Sequence, residues 1–145
     1  MPTASVWGPY LWKFLHAFSK RAGKSQSKFK KDEETEAKWI LHHLDRIIPC
    51  KECITHIILF KKETPIPSLV STYDVWVWTL HESVNKKLSK PPGPPLHELD
   101  VENDISKLWK DYIKCVEDSI LQNHIRKIHV VEFQRHVYMW LNYLL

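Results

Sequence analysis

The sequence predicts an all-α domain, and three observations carry the prediction. Only 3 glycines occur in 145 residues, too few for the turns that an all-β chain needs. Apolar residues recur at the three- and four-residue spacing of a helix face through most of the chain. Pro49, Pro65, Pro67 and the run Pro91-Pro92-Gly93-Pro94-Pro95 fall between those stretches, where helix breakers belong. At 43% hydrophobic, residues 1–145 are expected to form one domain with its own core.

The first helix is expected from about Ser5 to Arg21, with Pro9 in its opening turn and Trp7, Leu11, Phe14, Leu15 and Phe18 on one face. On an adjacent face Trp12 and His16, four apart, lie one above the other where a planar ligand can rest. A second helix is expected from about Asp32 to Ile48, capped by Asp32, buried through Ala37, Ile40, Leu41, Leu44, Ile47 and Ile48, and stopped by Pro49. The third opens at Cys50-Lys51-Glu52-Cys53 and runs to about Lys62. Both sulfurs then sit in a first turn, where free N–H groups and the helix dipole favour a thiolate.

Ser71-Thr72-Tyr73-Asp74 reads as a capping box for a fourth helix, buried through Val70, Tyr73, Val77, Leu80, Val84 and Leu88 and ended by the proline run. Ile105, Leu108, Tyr112, Val116 and Ile120 predict a fifth. Leu121, Ile125, Ile128, Val137, Trp140, Leu141 and Leu144 continue the period, with Asn123-His124 a candidate break. The expected architecture is a four-helix bundle with one or two additional helices.

The net charge of +4 concentrates in Lys20, Arg21, Lys24, Lys28, Lys30 and Lys31, directly ahead of Asp32, Glu33, Glu34 and Glu36. A basic linker before an acidic helix start is the order helix dipoles favour, so no nucleic-acid partner is expected. Lys13 and His16 interrupt the apolar residues between Val6 and Phe18, so neither a signal peptide nor a membrane span is expected.

Three cysteines are too few for a disulfide scaffold. A Cys-x-x-Cys pair serves as half a zinc site, as a thioredoxin-like pair, or as a redox pair beside another electron acceptor. A thioredoxin motif follows a strand, whereas this one follows a helix and Pro49. Zinc requires four ligands; Cys50, Cys53, Cys115 and a histidine assemble one only on paper, and no second paired motif supports it. No metal site is therefore expected. Trp39, Trp78 and Trp140 read as packing aromatics, and His42, His43, His97, His124, His129 and His136 as solvated or packing residues. His56 lies one turn beyond Cys53, where an imidazole either influences the thiolate or fills space.

Trp7-Gly8-Pro9 with Trp12-x-x-Leu15-His16, then Pro49-Cys50-x-x-Cys53, then His81-x-x-Val84-Asn85-x-x-Leu88-x-Lys90-Pro91 together resemble the Erv/ALR family of sulfhydryl oxidases over about residues 6 to 115. Each block alone is weak, and their order makes them specific. The third block is the most informative, because His81, Asn85 and Leu88 share one helix face with Lys90 at its end.

The resemblance implies a helical bundle that holds FAD at one end without a covalent link. It also implies oxidation of protein thiols to disulfides, with electrons passed to O2 to give hydrogen peroxide. The catalytic pair implied is Cys50, the outer sulfur that meets substrate, and Cys53, the inner sulfur that meets the flavin. The implied cofactor-binding residues are Gly8, Trp12, His16, Trp76, His81, Val84, Asn85, Lys87, Leu88, Lys90, Trp109 and Lys110. Protein thiols or a thioredoxin-like redox protein are the expected substrates, O2 the acceptor and a homodimer the expected assembly, with the helical extension 121–145 available to its interface.

Glu82 stands where the family usually has asparagine. Cys115 matches the second cysteine of a family disulfide whose first has no counterpart near Leu96 to Asp100, and no shuttle pair lies near a terminus. In both respects the chain resembles compact members encoded by large DNA viruses, for which host cytoplasm or virion is expected; otherwise the mitochondrial intermembrane space is.

Overall fold

A computed structural model describes residues 4–99 and 101–144. Asp100 and Leu145, which end two of the stretches named above, lie outside the described residues. The all-α expectation holds: the described residues form seven α-helices and three short 3-10 turns, with no strand among them. The helices are α1 (Ala4–Arg21), α2 (Lys30–His42), α3 (Lys51–Glu63), α4 (Tyr73–Lys87), α5 (Ile105–Cys115), α6 (Glu117–Leu121) and α7 (Lys127–Leu144). No helix among the described residues is long and apolar enough to cross a membrane.

Helix α1 packs against α4 and α5, α2 against α7, and α3 against α4. Leu11, Phe14, Leu15 and Phe18 of α1 are buried at the centre. Trp109 of α5 fills the space between Phe14 of α1 and Phe133 of α7, with ring centroids 5.3 Å from each. Burying such large apolar rings contributes about 2 kcal/mol or more apiece, so the aromatic contacts are a main source of cohesion between α1, α5 and α7.

Several local expectations are corrected. Pro9 lies inside α1 rather than in its opening turn, because the helix begins at Ala4. Helix α2 starts at Lys30, with Phe29 rather than Asp32 at its cap position, and ends at His42. The His43 ring nitrogen Nδ1 bonds the Trp39 carbonyl at 2.6 Å. That carbonyl also accepts the His43 amide at 3.1 Å, and beyond it the chain tightens into a 3-10 turn over Leu44–Ile47.

The capping box at Ser71–Asp74 does not form. The Thr72 hydroxyl donates to the Leu69 carbonyl and Asp74 accepts from the next amide, so neither side chain reaches across the helix start. Asp104, by contrast, caps α5 by accepting from the Lys107 amide at 3.1 Å.

Val84 and Leu88 leave the buried stripe of α4: Val84 is half-buried and Leu88 is 51% exposed. The C-terminal third divides into three helices, broken first at Val116 and again where Asn123 takes a positive φ of 60°. Leu121 and Ile128 fall outside the core at 76% and 66% exposed. The stripe that α7 buries is Val130, Phe133, Val137 and Trp140, packed within its own chain.

At one end, Glu33 is fully buried and accepts two bonds from the Gly23 amide, at 2.9 and 3.1 Å, and one from Trp140 Nε1 at 2.7 Å. Gly23 has φ +74°, and a Cβ there would come 2.5 Å from the Ser71 amide nitrogen. Only glycine meets both demands. This junction ties the turn after α1 to α2, α7 and the segment before α4.

Candidate functional site

Opposite features gather where α1, α3 and α4 meet. The chain enters α3 through Ile47, whose carbonyl accepts from the buried Tyr112 hydroxyl. Burial, and then the neighbouring Cys115, raise the Tyr112 pKa, so the phenol stays a donor and holds the strand of chain just ahead of Pro49. Cys50 then takes the cap position of α3, and its Sγ accepts from the Cys53 amide at 3.2 Å. Cys50 and Cys53 form a disulfide with Cα atoms 5.2 Å apart. Both are half-buried.

A cavity of about 1160 Å³ opens beside this pair, lined by residues of α1, α3, α4 and the loop from α4 to α5. Its volume slightly exceeds the range common for small-molecule sites, roughly 300–1,000 Å³, as suits a large ligand. Cys53 lines it and Cys50 does not; Glu52 and His56 extend the same wall. Of the residues implied by the resemblance, Gly8, Trp12, His16, His81, Val84, Asn85, Lys87, Leu88 and Lys90 all line the cavity.

Three others are placed elsewhere. Trp76 packs edge-on against Phe60, its Nε1 donating to the Thr64 carbonyl at 2.8 Å. Trp109 is buried in the core and donates to Gln134. Lys110 is exposed on α5, outside the cavity lining.

Trp12 and His81 stack with centroids 4.0 Å apart and planes 10° from parallel. His81 Nδ1 and His16 Nε2 are 2.9 Å apart. Burial, and then the nearby His81, push the His16 pKa from 6.5 down to about 4. Burial also lowers the His81 pKa, opposed by Glu82 and assisted by Lys90. Both rings are therefore neutral near pH 7, one donating to the other. On α3, His56 Nε2 pairs with Ser83 Oγ at 3.0 Å, and burial followed by Lys87 lowers its pKa.

Helix α4 ends in a Schellman turn. Ser89 has φ 56°, its amide donates to the Lys86 carbonyl at 3.1 Å, and the Lys90 amide donates to the Asn85 carbonyl at 2.8 Å. The turn satisfies carbonyls that a helix end leaves bare and brings Lys90 to the cavity beside Lys87.

Sequence reasoning missed Leu99 and Val101, two apolar residues of the loop that line the cavity. Their signal was an apolar pair at spacing two in a stretch otherwise rich in proline and acid. Leu99 and Val101, with His16, also border a second cavity of about 590 Å³ that reaches Lys20, Lys24, Asp74 and His97. No group of three or more His, Cys, Asp or Glu placed to hold a metal occurs among the described residues. Cys115 lies at the end of α5, half-buried, its Sγ 3.7 Å from the Val6 carbonyl.

Comparison with curated proteins gives no significant match, and comparison with solved structures gives none either. A family model described as the Erv1 / Alr family matches residues 9–113, a span containing the disulfide and every cavity-lining residue of α3 and α4. The chain belongs to the Erv1/Alr family, the family of FAD-dependent sulfhydryl oxidases.

Proposed function

We propose that this chain binds FAD in the large cavity and oxidises protein dithiols to disulfides through Cys50 and Cys53, with O2 as the final acceptor and hydrogen peroxide as product. The observation that carries the reading is the asymmetry of the pair: Cys53 lines the cavity and Cys50 does not. The two residues of one disulfide thus differ in their access to the cavity.

The residues present fit the cofactor. Trp7 lines the cavity, and its Nε1 is buried without a hydrogen-bond partner among the described residues, a state that normally costs about 1–3 kcal/mol and that a ligand acceptor would relieve. Gly8 also lines the cavity, and a Cβ there would meet nothing within 4 Å, so the helix surface is open to a flat group. Apolar Leu11, Leu15, Ile57 and Val84 suit a ring system, while Lys87, Lys90 and Asn85 supply cations and an amide for a diphosphate and its sugars.

In the proposed reaction, a substrate thiolate attacks Cys50 Sγ, the Cys50–Cys53 bond breaks, and Cys53 leaves as a thiolate. The second substrate thiol loses its proton and attacks the mixed disulfide, releasing oxidised substrate and the Cys50 thiolate. The Cys53 amide, which already donates to Cys50 Sγ, stabilises that leaving thiolate together with the α3 dipole. Two electrons and two protons have then left the substrate. FAD supplies a two-electron sink that returns those electrons to O2. His56, held by Ser83 on the same wall as Cys53, is placed to exchange a proton there.

The test is a spectrum together with thiol-dependent oxygen consumption. The purified chain should be yellow, with flavin released on denaturation, and should consume O2 with a small dithiol. Cys53→Ser should lose turnover while keeping flavin. Cys50→Ser should add a long-wavelength absorption band from the Cys53 thiolate. A colourless chain that consumes no oxygen when given FAD sinks the reading; the band in Cys53→Ser instead would reverse the two roles.

A further inference from the structure

We infer that Glu82, with Trp78, is a positioning residue that holds the proline run and, through it, the loop residues Leu99 and Val101 that line the cofactor cavity. The inference rests on the flavin reading above and concerns how the site is kept closed. Glu82 and Trp78 lie four apart on α4, hence on one face. Glu82 Oε1 accepts from the Gly93 amide at 2.9 Å, and Trp78 Nε1 donates to the Pro94 carbonyl at 3.0 Å.

The chemistry of the loop makes this grip specific. Between Lys90 and Leu96 every residue except Gly93 is proline, and proline has no N–H. Gly93 therefore carries the single amide donor of that stretch, and Glu82 takes it. Glycine also sets the distance: a Cβ on Gly93 would lie 3.0 Å from Glu82 Oε1 and 3.9 Å from Asn85 Nδ2. A side chain at position 93 would therefore press on the carboxylate end of Glu82, which would have to shift to keep its bond.

The gripped residues Gly93 and Pro94 do not line the cavity, but the chain on either side of them does. The loop begins at Lys90, fixed by the Schellman turn, and its far end is fixed where Arg21 donates to Asn103 at 3.1 Å. Between these ends it presents Leu99 and Val101 to the cavity. Glu82 and Trp78 are themselves outside the lining, so they act through the loop. Without them, a segment of prolines, which forms no ladder or helix of its own, has no hydrogen bond to α4 at its middle.

The experiment uses the full chain, with and without FAD, as wild type, Glu82→Ala, Glu82→Gln and Trp78→Phe. Amide hydrogen exchange at Gly93 and the rate of flavin release are read for each. Glu82→Ala should speed exchange at Gly93 and raise flavin release about tenfold, the scale of one lost hydrogen bond to a charged acceptor. Trp78→Phe should move both in the same direction by less. Glu82→Gln keeps an oxygen acceptor and should restore both towards wild type.

Unchanged exchange in Glu82→Ala overturns the clamp, and faster exchange with unchanged flavin release overturns its role as a cavity wall. If Glu82→Ala fails to fold, the same two outcomes are read from Trp78→Phe against Glu82→Gln. A wild-type chain that takes up no flavin is a failure of the cofactor reading instead, and exchange at Gly93 then decides the clamp alone.

Discussion

Two tryptophan–histidine stacks of nearly the same geometry occupy opposite settings in this molecule. Trp12 and His81 stack at 4.0 Å with planes 10° apart, and both line the large cavity. Trp39 and His136 stack at 3.7 Å with planes 16° apart, bridging α2 and α7. The second stack, though half-buried, is engaged by protein: His43 covers Trp39 at 4.1 Å, and His136 Nδ1 bonds the Glu36 carboxylate. Among the described residues, the hydrogen-bond partner of His81 is another imidazole, His16. The difference teaches that a pair of residue types does not identify a site. A carboxylate partner and a filled interface make the α2–α7 stack a structural joint; a neutral imidazole pair beside open space makes the α1–α4 stack available to a ligand.

The strongest way to break this comparison is at the closed end. Glu33→Ala should leave the Gly23 amide and Trp140 Nε1 buried without an acceptor, at a cost of about 3 kcal/mol. Denaturant unfolding of the flavin-free chain measures it, and a loss below about 1 kcal/mol would show that Glu33 is not the joint described. His136→Ala should cost less, about 1–2 kcal/mol, while leaving flavin affinity unchanged. His81→Ala combined with Asn85→Ala should do the reverse, releasing flavin with helix content intact. If the two variants produce the same loss of flavin, the division between joint and site fails.

The comparison sharpens with pH. His16 is held at about 4 in the folded chain against an ordinary 6.5. Below pH 6.5 the unfolded chain therefore takes up a proton that the folded chain refuses, so stability falls as pH drops through that window. The flavin-free protein should lose stability between pH 7 and about 5, and His16→Gln should flatten the slope. An identical slope in the variant would show that His16 is not buried as described.

The smallest effect is expected at Cys115. A serine there keeps a donor for the Val6 carbonyl, so Cys115→Ser should change stability by no more than about 1 kcal/mol and leave flavin and small-dithiol turnover in place. Loss of dithiol oxidation with flavin retained would make Cys115 an electron relay.

Much of this was legible from local sequence. Helix periodicity is a property of neighbours three and four apart, so α1, α2, α4 and α5 were marked out by their apolar spacing, and Pro49 and the proline run marked breaks because proline lacks a donor wherever it sits. The same locality put Cys50 and Cys53 in the first turn of a helix. Asp32 and the Ser71–Asp74 box misled, because a capping residue in the sequence is only an option until the chain reaches it; at α2 the helix had already begun at Lys30.

What tertiary structure alone decided is which side chains share a space. Trp12 and Trp109 were both implied as cofactor contacts, yet one lines the cavity and the other is sealed among Phe14, Phe133 and Tyr112. Glu33 looked like one more acid at a helix start, and its burial depends on Gly23 and Trp140 arriving from the ends of two other elements. Glu82 finds its partner eleven residues on, in a proline run with a single amide to offer. Spacing along a helix sets the direction of a side chain; only packing across helices sets what it meets, and hydrogen bonding and desolvation act on that meeting.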